Sequence, residues 1–337
     1  MRIYITVDVE CSLPGLRNGG EQIPVGTSER VYGNFFGKQL GTPLIMEMLE
    51  AHGFKGTFFC DSCMRYLVGD DDAGQVLRTI AGRGHDVQLH VHPINRLWAV
   101  RDSAPLVPRD QWNDDIGALP LWLQDDLIQE GRRFVHDHTG RLPTVFRAGN
   151  YGASDETLEL LAANGFLADS SYNLWALDKA GYEMRIVTPA PINIPFRHRG
   201  ILEIPVTVFQ APAAVADGYR FFAPEGAGYC EMQAALQSLA AAGVQDVVVV
   251  LHSFSFIKSA DPHYRNVRFN WVVQERFRQL LQFLANRPDE YEVVTLGDHV
   301  EHRDAPSLGE ASTSHFVSVP AWTVGLRFAG QVAQRLI

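Results

Sequence analysis

The sequence is poor in cysteine, and its four cysteines cannot form a disulfide scaffold. Cys11, Cys60, Cys63 and Cys230 are too few and too widely separated. Cys60 and Cys63 form a C-x-x-C pair, a pattern found in zinc and redox sites. No second C-x-x-C or C-x-x-H pair follows, so a four-ligand zinc site cannot be completed. We therefore expect two small buried thiols after a strand.

Long apolar runs and excess positive charge are also missing. No apolar stretch reaches the roughly 20 residues of a transmembrane helix. The formal net charge of -10 disfavours nucleic acid and anionic lipid as partners. Hydrophobic residues make up 46% of the 337 residues, enough for a full core without disulfides. No signal-peptide pattern precedes the first predicted strand, so we expect a cytoplasmic protein.

One local pattern occurs four times: an apolar-periodic helix ends on glycine, and a strand follows at once. The glycines are Gly53, Gly84, Gly165 and Gly243. The following strands are short and apolar, which is typical of a parallel sheet covered by helices on both faces. About eight strand candidates favour a closed (β/α) barrel over an open sheet. Residues 95–125 and 172–229 do not fit the alternation and are interpreted as long insertions over one barrel face.

The composition divides the chain into a catalytic barrel at 1–303, a linker at 304–315 and a C-terminal amphipathic helix at 316–337. Apolar residues recur every four positions from Val324 to Leu336. We expect this helix to pack on the barrel or on a partner chain, such as a second copy. A membrane-surface helix is less favoured, because Arg327 and Arg335 form only a thin basic face.

Polar residues follow five of the predicted strands, where working residues of such barrels lie. They are Asp8 and Glu10, His90 and His92, Arg147 with Asn150 and Tyr151, Asp169, and His252. Each alone has an ordinary structural explanation as a cap, an ion-pair partner or a hydrogen-bonded residue. Five strands delivering them to one end favour an active site. His85 is excluded, because it lies five residues before His90, roughly 16 Å away along the strand.

The spacing of these residues indicates a metal site. Residues two apart on a strand point to the same face, so Asp8 shares a face with Glu10, and His90 with His92. Two histidines and one carboxylate suit zinc or another first-row divalent metal. The second carboxylate is then free to act as a base.

The ordered motifs resemble a known family. They are Thr6-Val-Asp-Val-Glu10, Gly53-Phe-Lys-Gly-Thr-Phe-Phe59, Gly84-His-Asp-Val-Gln-Leu-His90, Phe146-Arg-Ala-Gly149, Asp169-Ser-Ser171 and Leu251-His-Ser253. From residue 1 to about 300, the chain resembles the NodB-homology polysaccharide deacetylases, as a divergent member similar to those of lipopolysaccharide biosynthesis. The resemblance implies a distorted (β/α) TIM-like barrel with one divalent metal. Zinc is expected, with cobalt, iron, manganese and nickel as alternatives. The implied reaction is removal of acetyl from an N-acetylated sugar, a glycan or a related amide.

The sequence departs from the family pattern at two positions. The family has adjacent aspartates in the first motif, whereas Val9 stands in the second place and a carboxylate returns at Glu10. The family's second metal histidine follows the first by four, where this chain has Ile94. His92 is the nearby substitute.

We expect Glu10, His90 and His92 to hold the metal and Asp8 to act as the base. The resemblance gives Arg147 the task of orienting Asp8. A backbone N–H near Asn150 or Tyr151 would bind the oxyanion, and His252 would protonate the leaving amine with Asp169 as its partner. Three tryptophans of the first insertion, Trp98, Trp112 and Trp122, are expected either to form the core of that insertion or to roof the site and contact sugar rings.

Two other functions fit part of the pattern. The H-x-H pair occurs in metal-dependent phosphoesterases of barrel fold, although such sites gather more histidines and more metals. The departures at Val9 and Ile94 would permit a sugar-binding barrel whose catalytic site has decayed.

Overall fold

A computed structural model describes residues 1–16, 20–177, 182, 184–187, 193–211, 218–300, 304–305 and 317–336. The strands are β1 Arg2–Val9, β2 Asn34–Phe35, β3 Lys38–Gln39, β4 Thr57–Asp61, β5 Asp86–Val91, β6 Val145–Ala148, β7 Ala168–Asp169, β8 Phe196–His198, β9 Ile201–Glu203, β10 Val208–Gln210, β11 Tyr219–Phe221, β12 Asp246–His252, β13 Ile257–Ser259, β14 Val267–Phe269 and β15 Glu292–Val294. The α-helices are α1 Thr42–Glu50, α2 Arg65–Val68, α3 Asp70–Gly82, α4 Pro93–Ala99, α5 Leu121–Thr139, α6 Asp155–Ala163, α7 Tyr229–Ala241, α8 Trp271–Ala285, α9 Leu296–His299 and α10 Ala321–Leu336. Among them, none is long and apolar enough to cross a membrane.

A curled sheet forms the centre of the molecule. Its strand order is β12-β1-β4-β5-β6-β7-β9-β8, and β15 also pairs with β1. All pairings in this sheet are parallel except that of β8 with β9. The strands alternate with helices along the chain, as a (β/α) fold requires. The predicted distorted (β/α) barrel with long insertions is thus confirmed.

The sheet does not close through a strand ladder, in contrast to the closed barrel that the strand count favours. Within the described residues, no pairing joins β12 at one end of the sheet to β8 or β9 at the other. The second insertion lies along β12 instead: the amide of Val248 donates to the hydroxyl of Thr207, and that of Val250 to the carbonyl of Phe222. Isolated hydrogen bonds from irregular chain therefore replace a continuous ladder.

Alternation along β1 separates two cores. Ile3, Ile5 and Val7 pack on the side of the surrounding helices, in the larger hydrophobic cluster. Tyr4 faces the inside of the curled sheet, with Val248 and Val250 of β12. Because side chains alternate in a strand, Asp8 faces the inside as well. The sheet thus delivers polar residues to the end of its own interior.

Strand register sets the candidate residues side by side. Asp8 at the end of β1 is paired with His252 at the end of β12. On β5, His90 is paired with Asp61 of β4 on one side and with Arg147 of β6 on the other. All these residues lie near the carboxyl ends of parallel strands, so the backbone alone gathers them at one end of the sheet.

The C-terminal helix α10 packs against α7 and α8. Val324 is fully buried in the main core, whereas Trp322 is 62% exposed. Of the linker expected at 304–315, only 304 and 305 lie within the described residues. The division into barrel, linker and tail therefore stays a prediction, as does a partner contact through α10.

Candidate active site and metal centre

The structure brings Glu10, His90 and His92 together. Their ligand atoms all lie within 4.8 Å of one another, and no other group of three or more such residues is found in the described part of the chain. Oε2 of Glu10 lies 2.7 Å from Nε2 of His92 and 3.7 Å from Nε2 of His90. Ligands held tetrahedrally at about 2.1 Å from zinc are separated by about 3.4 Å. The Glu10–His90 separation is close to this value, whereas the Glu10–His92 separation is that of a charged hydrogen bond.

The Nδ1 atoms of His90 and His92, the ring nitrogens that do not face Glu10, also have hydrogen-bond partners. Nδ1 of His90 lies 2.7 Å from the carbonyl oxygen of Arg147, and Nδ1 of His92 lies 2.9 Å from Oδ2 of Asp114. With a proton on each Nδ1, both Nε2 atoms are left as the ligand atoms. Metal-binding histidines are oriented by such outer acceptors. These residues fit a divalent metal.

The charges of these groups are strongly coupled. Burial opposes charge on Glu10, but the nearby charge of His92 and hydrogen bonds from both histidines hold the Glu10 pKa well below its usual range. Burial likewise opposes charge on His92, but Asp114 and Glu10 raise the His92 pKa well above its ordinary value. Without metal, His92 is therefore protonated, and binding a metal would release that proton.

Asp61 at the end of β4 fixes the loop that carries His92. The side chain is fully buried at the end of β4. Its Oδ1 accepts hydrogen bonds from the amides of Cys63 and His92, and its Oδ2 accepts one from the side chain of Asn95. Burial raises the Asp61 pKa, despite the nearby histidines. Cys60 and Cys63 beside it are free and buried, as expected.

Asp8 and Arg147 form a buried ion pair beneath this cluster. Nη1 of Arg147 lies 2.8 Å from Oδ1 of Asp8 and also donates to the hydroxyl of Thr6. Nε and Nη2 donate to the carbonyl and hydroxyl of Ser170, so the guanidinium is fixed on both sides. No hydrogen bond from the described residues reaches Oδ2 of Asp8. One carboxylate oxygen is thus held and the other is available to a proton.

Asp169 was expected to be the partner of His252, but its carboxylate contacts other residues. Its carboxylate accepts hydrogen bonds from the amide and hydroxyl of Ser171, and it interacts with Glu203. Burial raises the pKa of Asp169, and raises that of Glu203 far more in combination with the Asp169 charge. Two buried carboxyls next to each other cannot both ionise, so one of the pair keeps its proton.

Glu225 from the second insertion takes the place beside His252. Its Oε1 lies 3.8 Å from Nδ1 of His252, and it is bound by the hydroxyl of Ser255, which also accepts a hydrogen bond from the His252 amide. Burial favours the neutral imidazole, but Glu225, Glu10 and Asp8 raise the His252 pKa overall. His252 is therefore suited to hold a proton.

Asn150 and Tyr151 lie in left-handed backbone conformations, at φ of 52° and 59°. Two consecutive strained residues next to a cluster of charged groups are typical of functional sites. The side chain of Asn150 donates to Asp114 and Asp115. Asn150 also lines the adjoining cleft, whereas Tyr151 is buried and stacks on Tyr182. Of the two oxyanion candidates, Asn150 is thus the accessible one.

A cleft of about 960 Å³ opens above Glu10 and His92. Loop residues 11–16 and the β13–β14 hairpin form much of its wall, with Phe254 and Tyr264 as its aromatic residues. The three tryptophans expected to roof the site do not line it. Trp98 donates a hydrogen bond to Gln22, Trp112 packs partly buried against the main core, and Trp122 is 55% exposed on α5.

Comparison with known proteins identifies the fold. The sequence matches no protein-family model and no curated protein. Among solved structures, a Mycobacterium smegmatis protein assigned as a polysaccharide deacetylase matches with a TM-score of 0.52 and 16% identity, over 89% of each chain. The chain has the fold of a polysaccharide deacetylase. Two further neighbours have lower scores. One is a family 4 carbohydrate esterase from Streptomyces lividans, with a TM-score of 0.42 and 13% identity over 90% of this chain and 97% of that chain. The other is a pseudoenzyme of that family from Bacillus anthracis, with a TM-score of 0.40 and 11% identity over 94% of this chain and 69% of that chain.

Four residues of this deacetylase-fold site were missed by sequence reasoning: Arg30, Asp61, Asp114 and Glu225. Asp61 could have been found, because it ends β4 in the same way that Asp8 and His90 lie near the ends of their strands. Asp114 and Glu225 lie in the two insertions and Arg30 lies in a short π-helix, so all three are outside the repeating pattern. Their positions depend on tertiary packing alone.

Proposed function

We propose that the protein is a metal-dependent hydrolase that removes the acetyl group from the nitrogen of an N-acetylated sugar or glycan intermediate. One observation carries the proposal. Nε2 of His90 and of His92 converge on one oxygen of Glu10, while each Nδ1 has its own acceptor outside the cluster. A plain ion-pair network has no need of two oriented histidines, whereas a metal site does.

Glu10, His90 and His92 would hold the metal. When bound, a divalent ion supplies Lewis-acid activation of the acyl carbonyl and of water. Asp8 takes the proton of the attacking water through its free oxygen, while Arg147 holds the other. His252, kept protonated beside Glu225, delivers a proton to the leaving nitrogen as the carbon–nitrogen bond breaks. The backbone N–H of Asn150 is our candidate for binding the oxyanion.

The cleft supports a sugar as the substrate. Phe254 and Tyr264 offer aromatic surface, which suits the apolar faces of sugar rings. Glu21, Asp114 and Lys258 offer polar groups for hydroxyls on the same walls. The volume of about 960 Å³ is at the upper end of the range for small-molecule sites, so more than one ring can enter.

The test measures metal content and acetate release together. Protein purified without chelator or histidine tag should contain one metal per chain. His90→Ala should lose the metal, and His136→Ala, a change on the exposed face of α5, should keep it. Asp8→Asn should keep metal and fold but lose turnover by about 10²–10⁴-fold. Equal metal in wild type and His90→Ala would refute the metal centre.

The substrate is tested with a panel of N-acetylhexosamine conjugates and a simple amide of purine metabolism. Acetate release from the sugars alone supports the proposal. Turnover of the purine-pathway amide, with no acetate release from any of the sugars, would indicate an enzyme of small-molecule nitrogen metabolism and would contradict the proposed substrate.

A further inference from the structure

Arg30 is a cationic residue on the cleft wall that makes direct contact with Glu10 of the metal cluster. It lies in a short π-helix, Ser28–Tyr32, and is largely buried, with its side chain 12% exposed. Nη2 lies 2.5 Å from Oε1 of Glu10, and Nη1 donates to the hydroxyl of Tyr264 at 3.1 Å. The guanidinium carbon lies 3.5 Å from the centre of the Phe254 ring.

The two carboxylate oxygens of Glu10 have different partners. Oε1 is bound by Arg30, and Oε2 faces Nε2 of both histidines. A carboxylate oxygen that is already bound by a guanidinium is a weaker ligand for a metal, and the hydrogen bond restricts rotation of the carboxylate. The division therefore favours Glu10 as a ligand through Oε2 alone. This matters in a chain where the ligand is the longer glutamate, with one more rotatable bond than an aspartate.

Arg30 is itself held on two sides by residues of another part of the fold. Phe254 supports the flat face of the guanidinium, and the Phe254 ring centre lies 5.0 Å from that of His252. Tyr264, which accepts the hydrogen bond from Nη1, stacks on Phe35 with ring centres 6.3 Å apart. A planar, five-donor guanidinium is suited to such a position, whereas an ammonium can neither stack in the same way nor bridge two acceptors in a fixed plane.

We propose that Arg30 is a positioning residue for the metal centre, and that its clamp of Phe254 and Tyr264 sets Glu10 as a single-oxygen ligand. The inference rests on the proposed function, because it requires a metal at Glu10, His90 and His92. Arg30 acts through Glu10 and does not itself bind the metal. Phe254 contacts both Arg30, which binds Glu10, and His252, the proposed acid.

The test is zinc binding by the metal-stripped full-length chain, measured by calorimetry. Arg30→Lys keeps the positive charge, so the electrostatic effect on a cation is retained and only geometry changes. We expect about tenfold or more weaker zinc binding, the usual effect of removing an outer partner of a metal ligand. The matched control is Arg265→Lys, since Arg265 pairs with Glu21 near the same cleft with both side chains at least 60% exposed. This control should bind zinc like wild type.

A second variant decides the matter if Arg30→Lys does not fold. Tyr264→Phe removes one hydrogen bond to Arg30 and keeps the ring on Phe35. We expect a smaller but measurable loss of zinc affinity with an unchanged thermal midpoint of the metal-free protein. Wild-type affinity in a folded Arg30→Lys, or in Tyr264→Phe when the former fails to fold, would overturn the role of Arg30 and leave the proposed function standing. Absence of zinc binding by the wild type would overturn both.

Discussion

At the scale of single residues, acidic partners favour the protonated form of His92 and His252. Asp114 binds the outer nitrogen of His92, and Glu225 lies beside Nδ1 of His252. Both acids come from insertions and belong to no strand of the sheet. The insertions therefore contribute, with Glu10, to the raised pKa values of His92 and His252.

Glu225→Gln should shift the pH dependence of turnover. His252 as an acid needs its proton, so activity falls as pH rises through the His252 pKa. Glu225 raises that pKa against the opposing effect of burial, and its loss should lower it. The alkaline limb of the kcat profile should therefore move to lower pH. Glu159→Gln on α6, a side chain 53% exposed and paired with Arg199, is the control and should keep the wild-type limb. An unmoved limb in Glu225→Gln would contradict the assignment.

The period of a strand explains which site residues could be predicted. Because side chains alternate, D-x-E and H-x-H were each expected on one face, and the structure brings Glu10, His90 and His92 within reach of one metal. The partner of His252 could not be predicted in this way. Asp169 ends a strand, as expected, but β7 is only two residues long and the Asp169 carboxylate accepts a hydrogen bond from the hydroxyl of Ser171. Glu225 reaches His252 through packing of an insertion, which leaves no periodic signal.

At the scale of elements, the two ends of β5 place histidines in opposite roles. His90 lies near the carboxyl end, whereas His85 lies just before the first residue of the strand and is 5% exposed. Nδ1 of His85 accepts a hydrogen bond from the amide of Gly56, and Nε2 lies 3.1 Å from Glu50. An imidazole that accepts at Nδ1 and donates at Nε2 is neutral. Its exclusion from the metal site agrees with this structural role.

His85→Asn should remove part of the acid sensitivity of the fold. Burial lowers the His85 pKa from 6.5 to about 4, despite the nearby Glu50. Below pH 6.5 the unfolded chain takes up a proton at this residue, and the folded chain does not until near pH 4. The free energy of unfolding should thus fall by up to about 3 kcal/mol across this window.

Asparagine can still accept from Gly56 but cannot titrate, so the slope of stability against pH should flatten between pH 6.5 and 4. Chemical denaturation at several pH values measures it. His136→Asn changes a histidine whose side chain is 51% exposed and should leave the slope as it is. A wild-type slope in His85→Asn would show that this histidine does not cause it.

At the scale of the whole molecule, a buried acid joins α10 to the rest of the fold. Glu231 in α7 is fully buried, and its Oε2 lies 2.9 Å from Nε of Arg327 in α10. The same oxygen accepts a hydrogen bond from the amide of Gly228. Burial lowers the pKa of both Arg220 and Arg276, and the negative charge of Glu231 opposes this effect. Glu231 therefore pairs with Arg327 and partly offsets the effect of burial on Arg220 and Arg276.

Glu231→Gln should destabilise the entire protein. Glutamine keeps an acceptor for Gly228 but leaves Arg327, with a side chain 4% exposed, without its counter-charge. Breaking a buried ion pair in this way costs about 3–5 kcal/mol. The matched control is Glu275→Gln in α8, whose partner Arg278 has a side chain 54% exposed, and this should cost about 1 kcal/mol or less. Urea denaturation measures both. If Glu231→Gln is as stable as Glu275→Gln, the ion pair does not join α10 to the barrel, and the exposed Trp322 and Leu326 would then mark a helix that needs another partner.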